Sequence, residues 1–159
     1  MFKRTKEKPM EFVFGMEQVL AYFKEKDFKE VNYKLSEQPS DDEKITKEIK
    51  RCLENVEWMK GFQHKSQVYL IYHSENTISM KTLFKKYTEL SRRVTGKKGH
   101  YNKANDEIEN FVVRDEEQTT LYMIRVGSDI IKVLCPVEQE EEMKQVLKEL
   151  NSFVYKREK

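Results

Sequence analysis

Hydrophobic side chains recur along this chain at two different periods, which separate helical stretches from extended ones. The apolar positions from Met16 to Phe23 follow the i, i+3, i+4, i+7 spacing of an amphipathic helix. Apolar and polar residues then alternate between Val31 and Leu35, a pattern typical of a strand with one solvent-facing side. The chain therefore begins with a predicted helix followed by a strand.

A second helix is predicted after the tetrapeptide Ser40 to Glu43, whose hydroxyl and carboxylate ends match a capping box. Its apolar stripe continues until Gly61, a favourable residue just past a helix end, which predicts a helix over 41–60. Residues 67–73 are apolar at both alternating sets of positions and predict a central strand covered on each side. This order of strand, helix and strand predicts a right-handed βαβ crossover.

The helical period returns from Met80 to about Arg93 and is then lost. Residues 94–109 contain Gly96 and Gly99 and show no period, so they predict a long loop. Loops of this length are uncommon in compact domains and often carry function.

The last third of the chain changes to a period of two. Three strands are predicted there, at 111–114, 119–126 and 130–135, and their short links favour an antiparallel meander. A final helix follows Pro136. We expect a single α+β domain over residues 1–159, with a basic tail at 1–10. Its expected fold is a mixed, mostly antiparallel sheet of about five strands with four helices.

Composition narrows the class of protein. Charged residues make up 36% of the 159 positions, but aromatic residues reach 11%, which argues against disorder. No apolar run approaches the 18 or so residues of a membrane span, and no signal peptide is recognisable. The two cysteines, Cys52 and Cys135, lie at apolar-face positions and are expected to be buried, reduced thiols. We expect a cytoplasmic protein that does not enter a membrane.

Charge is unevenly distributed although the net charge is only +2. Residues 81–103 hold eight Lys or Arg against one Glu, a formal +7, and an acidic stretch follows at 106–117. The basic segment is a candidate for phosphate contacts and base stacking, and its candidate residues are Arg92, Arg93, Lys97, Lys98, His100, Tyr101 and Lys103. The alternative is a solvated surface neutralised by the acidic stretch. Nucleic-acid binding requires these cations to converge on one face, and acidic residues folded against them would argue against it.

Catalytic and metal-binding patterns are missing from the sequence. The three histidines, His64, His73 and His100, show no metal-ligand spacing, and no Cys-x-x-Cys is present. The Thr-Gly-Lys-Lys stretch at 95–98 lacks the upstream glycine of a phosphate-binding loop. The sequence therefore predicts no catalytic, cofactor-binding or metal-binding residue.

Three classes of function remain open. The first is a non-catalytic interaction module that contacts a second copy of the chain or another protein through Trp58 and Tyr87. The second is a nucleic-acid or polyanion binder that uses the basic segment. The third is an enzyme with a site that no motif reveals, which would need a deep pocket with at least two titratable side chains.

Overall fold

The computed structural model describes residues 10–32 and 43–158. Within these ranges the chain forms four α-helices, one short 3-10 helix at Val137–Gln139 and nine strands. The helices are α1 (Met16–Glu25), α2 (Glu43–Leu53), α3 (Thr77–Thr95) and α4 (Glu140–Asn151). The strands are β1 (Met10–Phe14), β2 (Lys29–Val31), β3 (Trp58–His64), β4 (Gln67–His73), β5 (His100–Asn105), β6 (Ile108–Arg114), β7 (Thr119–Val126), β8 (Asp129–Pro136) and β9 (Val154–Glu158).

Seven strands form one sheet in the order β2-β3-β4-β8-β7-β6-β5, with every neighbouring pair antiparallel. A separate two-stranded sheet pairs β1 with β9, also antiparallel. The predicted α+β class with four helices and a mostly antiparallel sheet is confirmed. The described part of the chain has nine strands instead of the five or so expected, because β1, β5 and β9 carry no apolar alternation long enough to reveal them and β3 lies in the segment predicted as the end of a helix.

The large sheet separates two hydrophobic cores. On β4, Tyr69 and Ile71 face the core beneath α1 and α4, whereas Leu70 and Tyr72 face the core beneath α2 and α3. All four side chains are at most 5% exposed. The prediction of a central strand covered on both sides is therefore confirmed, as are the C-terminal meander β6-β7-β8 and the helix that follows it.

The predicted helix over 41–60 is too long, and the βαβ crossover is wrong. Helix α2 ends at Leu53, and the residues from Trp58 onward form β3, which pairs antiparallel with β2 and with β4. Gly61 is buried inside a strand, where a Cβ would lie 3.0 Å from the carbonyl oxygen of Val31. The apolar residues Leu53, Val56 and Met59 keep a helical spacing, but the residues from Trp58 onward form a strand because they pair with β2 and β4.

The segment 94–109, predicted as a long loop, is mostly regular. It contains the end of α3, strand β5 and the start of β6, joined by a tight turn. All six residues of β5 are exposed, so no apolar alternation marks the strand in the sequence. Its backbone hydrogen bonds to β6 provide the ordering that side-chain burial does not.

The predicted N-terminal features lie only partly within the residues that the structure describes. Residues 1–9 of the expected basic tail lie outside the described residues, and Met10 begins strand β1. Val31 of the expected strand belongs to β2, whereas its continuation and the capping box at 40–42 also lie outside the described ranges. The described helices include none long and apolar enough to cross a bilayer.

Gly127 allows the β7–β8 turn to meet strand β1, and we expect Gly127→Ala to destabilise the fold. Its φ is +59°, its amide donates to the carbonyl of Glu107, and an added Cβ would lie 2.6 Å from the carbonyl oxygen of Phe12. The expected loss in unfolding free energy is about 2 kcal/mol, from the strained φ and the backbone clash together.

Gly96→Ala is the matched control for this prediction. Its φ is +68°, yet an added Cβ would meet no atom within 4 Å. The Gly96→Ala variant therefore measures only the cost of a positive φ in alanine, which is about 1 kcal/mol of unfolding free energy. Urea denaturation of both variants measures the difference, and equal losses would show that β1 does not approach the turn in solution.

Candidate functional site

A cleft lies between α3 and the β5–β6 hairpin, on the sheet face that α2 and α3 cover. We call it the α3 cleft. Its volume is about 380 Å³, within the range of small-ligand sites, roughly 300–1,000 Å³. The side chains that matter most to its chemistry are Lys81, Lys85, Arg92, Tyr101, Lys103 and Arg125.

Helix α3 supplies one wall of the cleft. It begins after Asn76, whose side chain accepts a hydrogen bond from the Ser79 amide, and it ends at Thr95, immediately before Gly96. Cationic side chains at i, i+4 and i+11 share one face of a helix, and those of Lys81, Lys85 and Arg92 do so here along about 16 Å of axis. The row of cations therefore follows from the helical phase of the basic segment.

Arg125 forms the base of the cleft and is 1% exposed. Its Nε lies 2.5 Å from Oε2 of Glu109, while Nη1 and Nη2 donate to the carbonyls of Gly127 and Asp106 at 2.7 and 2.9 Å. The three donor nitrogens thus connect β7, which carries Arg125, to strand β6, to the β5–β6 turn and to the β7–β8 turn. These contacts use three of the five N–H groups of Arg125, whose main role is to shape the cleft.

Tyr101 supplies an aromatic surface at the mouth of the cleft. The residue is 46% exposed, and its hydroxyl donates to Oε1 of Glu109 at 2.8 Å. Partial burial, followed by this bond to a carboxylate, raises the pKa of Tyr101 to about 12. The ring lies 6.5 Å from that of Phe84, which packs beneath it from α3. The phenol is therefore neutral at pH 7, held in place, and has an accessible ring.

The electrostatic balance of the cleft is positive but modest. Five cationic and three carboxylate side chains line it, a formal excess of +2. Lys103 pairs with Asp106 at 3.0 Å, and the hydrogen bond from this lysine lowers the pKa of the Asp106 carboxyl below its usual range. No carboxylate in the described part of the chain forms an ion pair with Lys81 or Lys85. These two ammonium groups are available to an anion.

The candidate nucleic-acid contacts divide between the two faces of the sheet. Arg92, Tyr101 and Lys103 line the α3 cleft, but Lys97 and His100 line a different cleft, beneath α4. Successive residues of a strand point to opposite faces, so the neighbours His100 and Tyr101 on β5 must separate.

The two remaining candidates of that set line neither cleft. Lys98 is exposed, and its carbonyl accepts a hydrogen bond from Nε of Arg92 at 2.7 Å. Arg93 is an exposed residue near the C-terminal end of α3. Convergence of all five candidate cations on one face is therefore not observed.

The two candidate partner contacts differ in exposure. Tyr87 is only 2% exposed, so the expectation that it contacts a partner is wrong. Its side chain lies on the core face of α3, and Nζ of the buried Lys132 lies 4.4 Å from its ring centroid. Trp58 is partly exposed on β3 and stacks on the ring of His73 at 5.0 Å.

The two thiols are placed as the sequence predicted. Cys52 is 7% exposed and Cys135 is fully buried. Burial raises the pKa of both thiols, that of Cys135 to about 11. A thiol that remains protonated at neutral pH is a poor nucleophile.

Of the six cleft residues that matter most to its chemistry, three were not among the sequence candidates. Lys81 and Lys85 belong to the same basic segment, and their helical phase with Arg92 is the signal that selects them. Arg125 carries no comparable signal, because one charged residue in an apolar strand does not reveal which backbone carbonyls it meets.

Similarity to other proteins adds nothing to this description. No family model, no curated protein and no solved structure matches this chain.

Proposed function

We propose that this chain is a non-catalytic binding module that takes a compact phosphorylated ligand with a flat ring, the chemistry of a nucleotide, in the α3 cleft. The observation that carries the proposal is the pair Lys81 and Lys85. Both ammonium groups line a cleft of about 380 Å³ and form no ion pair with a described carboxylate, although the charge of Lys81 helps to lower the pKa of Asp106.

The other cleft residues match the two parts of such a ligand. The guanidinium of Arg92 stands in line with the two lysines, and cations in this arrangement form charge-assisted hydrogen bonds with phosphate oxygens. The accessible ring of Tyr101 offers a stacking surface for a base, a contact worth about 1–3 kcal/mol. A ligand with both groups would use both walls of the cleft.

A compact ligand is favoured over a long nucleic-acid strand for two reasons. The basic segment is divided between the two faces of the sheet, so a nucleic-acid strand lying along α3 would not contact Lys97 or His100. The formal excess in the cleft is only +2, because Asp106 and its acidic neighbours fold against part of the basic segment. This charge suits one phosphorylated group better than the sugar-phosphate backbone of a nucleic acid.

A protein interface is the second candidate and has less support. Among the described residues, the large apolar side chains with at least two fifths of their surface exposed are spread over four elements: Met10 on β1, Ile78 and Val94 on α3, Tyr101 on β5 and Tyr155 on β9. Ile78 and Val94 stand at opposite ends of α3, about 24 Å apart along its axis. With Tyr87 buried, Trp58 is the remaining sequence candidate for such a contact.

The Lys81→Gln/Lys85→Gln variant is expected to weaken nucleotide binding at least about tenfold, because it removes two charge-assisted contacts. Isothermal titration with nucleoside mono-, di- and triphosphates measures the affinity, at low salt and again at 0.2 M. The corresponding nucleoside and inorganic phosphate, as separate ligands, report the ring and the anion contributions.

Lys97→Gln/Lys98→Gln is the matched control, since it removes the same charge from the same basic segment outside the α3 cleft. It should leave the affinity within about twofold, apart from long-range screening effects. A single-stranded RNA oligonucleotide tests the extended-strand alternative. Absence of nucleotide binding at low salt, or equal losses in the two variants, would refute the proposal.

A further inference from the structure

A cluster of metal-ligand side chains lies on the opposite face of the sheet from the α3 cleft. His73 is the last residue of β4, Glu75 follows it by two positions, and Glu57 immediately precedes β3. The β3–β4 register places Trp58 opposite His73, and the amide of Glu57 donates to the His73 carbonyl at 2.8 Å. The antiparallel pairing therefore brings the two glutamates to the same end of the hairpin.

The distances within this cluster suit coordination of one ion. Nε2 of His73 lies 3.6 Å from Oε2 of Glu57 and 3.8 Å from Oε1 of Glu75. One ligand atom from each residue lies within 4.8 Å of the others. Ligands at about 2.0–2.1 Å from a tetrahedral Zn²⁺ are themselves roughly 3.4 Å apart. Small rotations of the exposed glutamate side chains would complete this geometry.

The histidine is already oriented as a ligand. Its Nδ1 lies 2.7 Å from Oδ1 of Asp129, whose side chain is 6% exposed, so Nε2 is the nitrogen left for an ion. One ring face stacks on Trp58 at 5.0 Å. A carboxylate on the distal nitrogen, which fixes the tautomer and the ring orientation, is the usual second layer of a protein metal site.

The charge of the cluster also favours a cation. Three carboxylates surround one imidazole, and neither Glu57 nor Glu75 forms an ion pair with a lysine or arginine of the described residues. Lys60 is close by, but its ammonium lies over the Trp58 ring, 5.5 Å from the centroid. A divalent ion would compensate this charge directly.

We propose that Glu57, His73 and Glu75 form a binding site for a divalent transition-metal ion of the Zn²⁺ type, with Asp129 as the positioning residue. One imidazole and two carboxylates suit Zn²⁺, Mn²⁺ or Co²⁺, whereas Mg²⁺ and Ca²⁺ prefer all-oxygen shells. Three protein ligands leave a coordination position for water. The site lies apart from the α3 cleft and does not depend on its function.

Titration of metal-free full-length chain with ZnCl₂, by isothermal calorimetry, tests the proposal. We expect one ion per chain, no competition from a hundredfold excess of Mg²⁺, and a loss of affinity of about 100-fold or more in Glu57→Gln/Glu75→Gln. Both glutamates are exposed, so this variant should fold normally. In ¹⁵N spectra of the imidazole groups, Zn²⁺ should shift Nε2 of His73 while Nδ1 remains protonated.

Two controls distinguish this site from incidental binding. Glu54→Gln removes an exposed carboxylate from the same turn, and His64→Gln removes a histidine that lies 3.7 Å from Glu142. Both should retain full affinity. The proposal is overturned if Zn²⁺ does not saturate at one equivalent, if Glu57→Gln/Glu75→Gln binds it as well as the unmodified chain, or if His64→Gln abolishes binding.

Discussion

Arg125→Met is expected to lower the free energy of unfolding by about 3–5 kcal/mol, the cost of leaving one partner of a buried ion pair unpaired. The arginine side chain is 1% exposed and that of Glu109 12% exposed, so solvent replaces the lost contact only in part. The carbonyls of Asp106 and Gly127 lose their donors as well. Urea denaturation followed by circular dichroism measures the change.

Arg157→Met is the matched control for this prediction. Arg157 also places Nε against a glutamate, Glu11, at 2.8 Å, but its side chain is 47% exposed. Its removal should cost less than about 1 kcal/mol. The Glu109→Leu/Arg125→Met double variant should recover part of the loss, because no charge then remains buried. A loss near that of Arg157→Met would show that Arg125 is solvated in solution.

Lys132→Met is expected to raise the free energy of unfolding at pH 7 by about 2–3 kcal/mol. Burial lowers the pKa of the Lys132 ammonium from its ordinary 10.5 to about 8, which corresponds to about 3 kcal/mol of destabilisation of the charged form. Loss of the contact between Nζ and the Tyr87 ring, worth about 0.5–1 kcal/mol, offsets part of the gain. Methionine has a similar length and carries no charge.

The pH dependence of this effect has a definite sign. Below pH 8 the lysine is protonated in both the folded and the unfolded chain, and the folded state bears the whole penalty. Between pH 8 and 10.5 the unfolded chain binds more protons than the folded one, so the stability contributed by this group rises with pH. The advantage of Lys132→Met should therefore shrink steadily between pH 8 and 10.5.

Denaturation of both chains at pH 7 and pH 10 measures this difference, and groups that titrate equally in the two chains cancel. Lys85→Met, at an exposed position of α3, is the control and should change stability by less than about 0.5 kcal/mol at either pH. A Lys132→Met chain that is less stable than the original at pH 7, or a difference that does not vary with pH, would contradict the assignment of a buried ammonium.

The sequence and the structure disagree most where a strand lacks an apolar face. Strand β5 has only exposed residues, so the sequence predicts a loop there. A loop gives no reason to expect that the side chains of His100 and Tyr101 point to opposite faces of a sheet. Once the strand is known, alternation alone assigns these neighbours to different clefts. The same reason explains β9, whose Val154 is its one aliphatic residue and which forms by pairing with β1.

The cluster around His73 shows a different limit of sequence reasoning. The spacing of Glu57, His73 and Glu75 matches no linear metal motif, because Glu57 precedes one strand of a hairpin whereas His73 ends the next strand and Glu75 follows it. In a helix over 41–60, Glu57 would lie off the apolar stripe formed by Leu53, Val56 and Met59. Only the end of α2 at Leu53 and the β3–β4 pairing bring the three side chains together.

The sequence by itself determined the α+β class, the central strand β4, the C-terminal meander and the row of cations on α3. Each of these depends on a local period, in which neighbouring residues report which side of an element is buried. Tertiary structure alone decided the strand order, the division of the basic segment between two faces, the burial of Lys132, and the meeting of Arg125 with Glu109. These features depend on contacts between residues far apart in the chain, and such contacts produce no periodic pattern of apolar residues in the sequence.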